Sequence, residues 1–151
     1  KIDFREPSPT FYARDVLAPA AAALACGIDP SSLGVPVDQR TLVPGPFQLA
    51  HLEGGHMVAE VIESDRFGSL RLSISANELR AHGLWVERLE FGFGHVVIDV
   101  PLARTFADVE EGEPVALVDS SGWLTLSVRM GDAAERYGVE PGTVARVGVP
   151  R

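Results

Sequence analysis

The chain has 151 residues, 46% hydrophobic and 23% charged, with a formal net charge of −8; this suits a globular protein with one core and room for part of another. That charge repels nucleic-acid phosphate, and no basic stripe offsets it. No apolar run approaches the ~20 residues needed to cross a bilayer; Val16 to Ala25 comes nearest and holds Pro19.

The chain enters at Lys1 on an extended-looking stretch, Ile2-Asp3-Phe4-Arg5. It reads like a cut made inside a fold, so a preceding part is expected. A helix is predicted over Arg14 to Ala25, rich in strong helix formers. Pro19 falls early in it, and Gly27 is placed to stop it. The lone cysteine, Cys26, excludes an internal disulfide; its place on an apolar helical face predicts a buried, inert thiol. A reducing, cytoplasmic setting and the lack of a visible signal peptide fit this usage. Asp29-Pro30-Ser31-Ser32 is a predicted turn.

Beyond residue 45 the pattern changes to short strands. His56 to Glu63 alternates, with Met57, Ala59, Val61 and Glu63 on one face. Ser69 to Ser75 sets Leu70, Leu72 and Ile74 against Arg71, Ser73 and Ser75, the pattern of a half-buried strand. Leu84 to Phe91, Val96 to Pro101, Val115 to Asp119, Trp123 to Arg129 and Thr143 to Val149 complete seven candidates. Ser75-Ala76-Asn77-Glu78 carries a capping box and opens a short helix ending near Gly83. Asp132-Ala133-Ala134-Glu135 opens another, ending near Gly138. Asp119-Ser120-Ser121-Gly122 reads as a hairpin turn, and Gly92-Phe93-Gly94 as a turn. Seven short strands at this spacing predict a small barrel or sandwich.

Three loops could carry chemistry. Pro9-Thr10-Phe11-Tyr12-Ala13-Arg14-Asp15 heads the first helix, where unpaired N–H groups suit an anion or a polarised nucleophile. The plainer reading makes Phe11 and Tyr12 core residues and Arg14–Asp15 a surface pair. Asp65-Arg66-Phe67-Gly68-Ser69-Leu70 offers a carboxylate beside an aromatic ring, suited to an ammonium and a flat ring; the plainer reading is a strand-joining turn. Ser120-Ser121-Gly122-Trp123 and Phe106 read by themselves as a hairpin turn and packing residues. His51, His56, His82 and His95 lack metal-ligand spacing, and no phosphate-binding glycine loop or Gly-x-Ser-x-Gly elbow is present.

Together these segments resemble, in order, a known family: the S-adenosylmethionine (SAM) hydroxide adenosyltransferases and SAM-dependent halogenases. Thr10-Phe11-Tyr12-Ala13-Arg14-Asp15 with its alanine-rich helix is similar to the family's Thr-Phe-(His/Tyr)-(Gly/Ser)-Arg-(Asp/Glu) segment. Asp65 to Leu70 resembles Asp-x-Phe-Gly-Asn-Leu, and Thr105-Phe106-Ala107-Asp108 resembles Thr-(Phe/Tyr)-Ala-Asp. Asp119 to Leu124, followed by Gly131-Asp132-Ala133-Ala134, is similar to Asn-Ser-(Ser/Arg)-Gly-(Phe/Tyr)-Leu and Gly-x-Ala-Ala.

The resemblance implies a mostly β fold: a C-terminal seven-stranded β-barrel-like domain over 46–151, preceded in 1–45 by the helical tail of an N-terminal α/β domain whose remainder lies upstream. It implies displacement at C5′ of SAM to give adenosine and methionine, with SAM as substrate, no cofactor and no metal, in a homotrimer that binds SAM between subunits. By motif position Asp65 takes the methionine ammonium, and Ser120 and Ser121 take the carboxylate. Phe67 and Phe106 lie near the adenine with Ser69 at its edge. Phe11, Tyr12 and Ala13, followed by Arg14, form the reacting centre. Tyr12 stands where the hydroxide-transferring branch has a histidine, and looks more like the halogenases. Ala13 replaces the fluorinase serine and is nearly as small as the chlorinase glycine. Ser69 replaces an asparagine, and Leu72–Ser73 a Thr-Asn pair. A chlorinase-type halogenase and a catalytically silent SAM- or adenosine-binding module are the alternatives.

Overall fold

A computed structural model describes residues 8–43 and 45–150; the expected extended segment at Ile2–Arg5 lies outside them. The chain divides into two compact units, Lys1–Pro44 and Gly45–Arg151.

In the first unit the helix begins as a π-helical turn, Ala13–Leu17, and continues as α1, Ala18–Ala25, with Pro19 in its first turn. Gly27 ends it at φ 80°, a value that favours glycine. Asp29 and Asp38 each accept a backbone N–H two residues on and open short 3₁₀ turns. Cys26 departs from expectation: it is exposed, because the alanine-rich helix buries none of its residues among those described.

The second unit is a nearly closed antiparallel barrel. Its strands are β1 (His51–Glu53), β2 (His56–Ser64), β3 (Leu70–Ser75), β4 (Arg88–Phe93), β5 (Val96–Pro101), β6 (Pro114–Val118), β7 (Trp123–Val128) and β8 (Val144–Gly148). Their order is β5-β4-β8-β2-β3-β7-β6. The two ends meet where Leu102, just past β5, bridges Ala116 in β6. The inward residues form one core, including Met57, Val61, Leu72, Leu89, Phe91, Leu126 and Val147.

Three expectations need correction. β1 is an eighth strand that sequence alternation did not reveal. It folds onto β2 through Gly54 and Gly55, at φ 57° and 84°, a two-residue loop that demands positive φ at both positions. The strand expected from Leu84 starts at Arg88 instead and absorbs Gly92 and Phe93, leaving Gly94 at the turn. The cause is helix α2 (Ala76–Ala81): its exit through Gly83, φ 70°, ties the Leu84 N–H to the Leu79 carbonyl and keeps Leu84 out of the sheet. Finally, Glu63 does not share a face with Met57, Ala59 and Val61. The β2–β3 register pairs Val61 with Leu72 but Glu63 with Arg71, so a bulge between them turns Glu63 away from the core.

Both short helices start as expected. Ser75 and Glu78 complete the capping box of α2. Asp132 accepts the Glu135 N–H to cap α3 (Ala133–Tyr137), which ends on Gly138 in the left-handed region. Gly68 joins α3 to the β2–β3 turn: its carbonyl accepts the Ala134 N–H, and a Cβ there would overlap the Asp132 carboxylate. With φ at 76° as well, Gly68→Ala is expected to cost about 2–4 kcal/mol, since it strains the backbone and dislodges a helix cap. Urea denaturation measures it; a loss below about 0.5 kcal/mol would show that the site relaxes freely.

Candidate functional site

Three loops of the barrel are built the same way: an aspartate side chain ties down the backbone of its own turn. Asp65 Oδ1 accepts the N–H groups of Phe67 and Ser69, each at 2.9 Å. Asp119 Oδ1 accepts those of Ser121 at 2.8 Å and Trp123 at 3.0 Å. Asp108 Oδ2 accepts those of Thr105 at 2.8 Å and Arg104 at 3.0 Å. All are short-range contacts that aspartate makes readily: Asx-type, to residues ahead, for Asp65 and Asp119, and back to the Thr105 N-cap of a capping box for Asp108. They hold the Asp108 carboxyl below its ordinary range, the Thr105 N–H contributing most.

The three turns ring a cavity of about 450 Å³, within the range of small-molecule sites. Asp65, Ser69, Phe106 and Ser120 line it together. The closure at Leu102–Ala116 brings the Arg104–Phe106 segment beside β6, and the Ala103 N–H strengthens it by donating to the Ala116 carbonyl at 2.9 Å. Phe67 and Ser121 belong to the same turns but are not among the lining residues; Phe67 is exposed, with the Arg66 guanidinium 4.6 Å from its ring centroid.

The floor is the outward face of β3, β6 and β7. Arg71 pairs in register with Thr125, which pairs with Leu117; Ser127 pairs with Val115. On the same strand as Arg71, Ser73 is 1% exposed, and its Oγ accepts the Glu60 N–H at 2.9 Å. Arg71 Nε donates to Asp119 Oδ2 at 2.6 Å, and its Nη1 donates to Glu63. Burial pushes the Asp119 carboxyl up, but N–H donation from Trp123, the Arg71 hydrogen bond, N–H donation from Ser121 and the Arg71 charge together hold it below its ordinary value. Thr125 Oγ1 and Ser127 Oγ are buried and among the described residues have no hydrogen-bond partner.

Sequence reasoning missed Glu63, Arg71, Asp119, Thr125 and Ser127 as cavity residues. Thr125 and Ser127 left a signal: two hydroxyls alternating with Leu124, Leu126 and Val128 in a strand otherwise fit for a core. Arg71 left none, because an arginine on the polar face of an alternating strand is what any surface strand shows.

In the first unit Phe11 and Tyr12 are exposed, 54% and 58%, so the reading of them as core residues does not hold there. Arg14 and Asp15 do form a surface pair, Nε to Oδ1 at 2.5 Å. That pair, with the Ser8 N–H, lowers the Asp15 carboxyl to about 2. Among the described residues no cluster of three or more His, Cys, Asp or Glu could hold a metal, and no helix is long and apolar enough to cross a membrane.

Residues 59–146 match the family described as SAM hydroxide adenosyltransferase C-terminal domain. Over 144 residues the chain is 38% identical to a (R)-S-adenosyl-L-methionine hydrolase of Salinispora tropica, covering 93% of this chain and 51% of that protein. It is 30% identical over 151 residues to a fluorinase of Actinoplanes, covering 94% and 49%. The crystal structure of a conserved protein from Thermotoga maritima superposes with a TM-score of 0.67 at 26% identity, covering 95% of this chain and 54% of that one. The chain thus spans about half the length of the curated relatives it matches.

Proposed function

This chain belongs to the SAM hydroxide adenosyltransferase family, and from that premise we propose that it serves in the hydrolysis of SAM to adenosine and L-methionine. The observation that carries the proposal is the convergence of Asp65, Ser69, Phe106 and Ser120 on one cavity of small-molecule size. Three sequence segments far apart in the chain supply them, and each segment resembles a family motif. The higher identity to a hydrolase than to a fluorinase, 38% against 30%, favours water over halide.

In the proposed reaction water or hydroxide attacks C5′ of SAM in line with the sulfonium. The C5′–O bond forms, the C5′–S bond breaks with its electron pair passing to the methionine sulfur, and one proton is released. SAM brings its own leaving group, so the protein's task is alignment, worth on the order of 7–11 kcal/mol in favourable cases. Asp65 offers Oδ2, which among the described residues has no partner, to the methionine ammonium. Ser120 and Ser121 sit in a turn suited to its carboxylate, and Phe106 offers a ring to the adenine. Phe11, Tyr12, Ala13 and Arg14 belong in this reading to the reacting centre, residues 1–45 being the tail of an N-terminal α/β domain, and the working form is a homotrimer.

The full-length protein incubated with SAM is expected to release adenosine and methionine in equal amounts, read by liquid chromatography. Tyr12 and Ala13 favour a second reading, halide transfer. Formation of 5′-chloro-5′-deoxyadenosine in chloride faster than adenosine would establish that one instead. Tight binding with no turnover over hours would reject both and leave a silent SAM-binding module.

A further inference from the structure

Thr125 and Ser127 lie two residues apart on β7, so their side chains share one face. They are 9% and 1% exposed, both line the cavity, and neither hydroxyl oxygen has a partner among the described residues. A buried hydroxyl left unpaired is costly, roughly 1–3 kcal/mol. Two on one cavity floor, where valine and alanine would fill the same space without that cost, call for a polar group supplied from the cavity. From the proposal that this cavity receives SAM, we infer that Thr125 and Ser127 are specificity-determining residues that hydrogen-bond the edge of its heterocyclic base.

Position and charge select the base over the rest of SAM. The register pairs Leu70 with Leu126 and Arg71 with Thr125. Continued by one residue, it sets Ser69, which the motif places at the adenine edge, across from Ser127. An ammonium or carboxylate resting on two neutral hydroxyls would need a counter-charge. The charged side chain paired with Thr125 in that register is Arg71, already held by Glu63 and Asp119. A heteroaromatic edge is neutral and mixes donors with acceptors. A hydroxyl can serve either, because it rotates to donate or accept. Residues i and i+2 of a strand stand roughly 6.5–7 Å apart, enough to address two positions along a bicyclic ring.

The test uses the full-length protein, its Thr125→Val and Ser127→Ala variants, and calorimetric binding of SAM, adenosine and a series of adenosine analogues. Each analogue has one ring nitrogen replaced by C–H or lacks the exocyclic amine. The wild type is expected to bind at least one analogue about 3- to 10-fold more weakly than adenosine, the effect of one lost hydrogen bond. A variant should bind adenosine weaker by a similar factor and no longer discriminate against that analogue, the signature of a coupled pair. Melting temperatures at or above wild type are expected, because each substitution removes an unpaired hydroxyl. Wild-type affinity and discrimination in both variants would overturn the inference while the cavity's assignment to SAM stands. Weakening confined to SAM, with adenosine unaffected, would also overturn it, by moving the hydroxyls to the methionine portion. A wild type that binds neither SAM nor adenosine would end the functional proposal and this inference together.

Discussion

Asp65→Asn is expected to weaken SAM binding by the full-length protein about 30- to 100-fold and leave its melting temperature nearly unchanged. Asp65 has two separable jobs. Oδ1 accepts the Phe67 and Ser69 N–H groups and so shapes the turn, while Oδ2, on a residue that lines the cavity, has no partner among the described residues. Asparagine keeps one acceptor oxygen for the turn and puts an NH₂ donor where the proposed ammonium rests. Losing one partner of a hydrogen-bonded charge pair costs roughly 2–3 kcal/mol, and each 1.4 kcal/mol is tenfold in affinity. Asp65→Ala removes both jobs, so it should lose binding and also melt earlier. Calorimetry beside thermal melts separates the two. Undiminished affinity in Asp65→Asn would remove the ammonium from this carboxylate and with it the motif-based orientation of the substrate.

Asp119→Ala is expected to cost the barrel about 2–4 kcal/mol in urea denaturation. The substitution strips the acceptor from the Ser121 and Trp123 N–H groups and leaves half-buried Arg71 with only Glu63 of its two carboxylate partners. Asp119→Asn keeps an oxygen for the turn and gives up the charge opposite Arg71, so it should lose about a third as much. The pH dependence has a definite sign. The folded carboxyl lies below its unfolded value of about 3.9, so its contribution is fully present above that pH and is lost as pH falls toward the folded value. Wild-type stability should therefore drop more steeply than that of Asp119→Asn below about pH 4. Parallel curves would show that Asp119 gains nothing from ionising in the folded protein.

Much of the site was legible because turns are local. The capping box at Ser75–Glu78 and the aspartate-opened helix at Asp132 could be read from residues three apart, since backbone N–H groups at a helix start are satisfied by the nearest side chain. The Asp119 hairpin was legible for the same reason. The reading of Asp65 as a turn residue was legible in the same way, its Oδ1 accepting the N–H groups two and four residues on. The Gly54–Gly55 hairpin was equally local and was passed over, since His51–Glu53 is too short to show alternation.

The sequence alone therefore determined the turns, the helix caps, the inward faces of most strands and the motif order that points to the family, all of which depend on neighbours within a few residues. Tertiary structure alone decided what the outward faces do. Strand alternation has a period of two, so one bulge past Val61 reversed Glu63 and delivered it to Arg71. Closure between Leu102 and Ala116 brought the Phe106 turn beside the strand pair that carries Thr125 and Ser127, and so made an apparent surface into the floor of a cavity. Neither event has a local signature, because each depends on the register between strands distant in the chain.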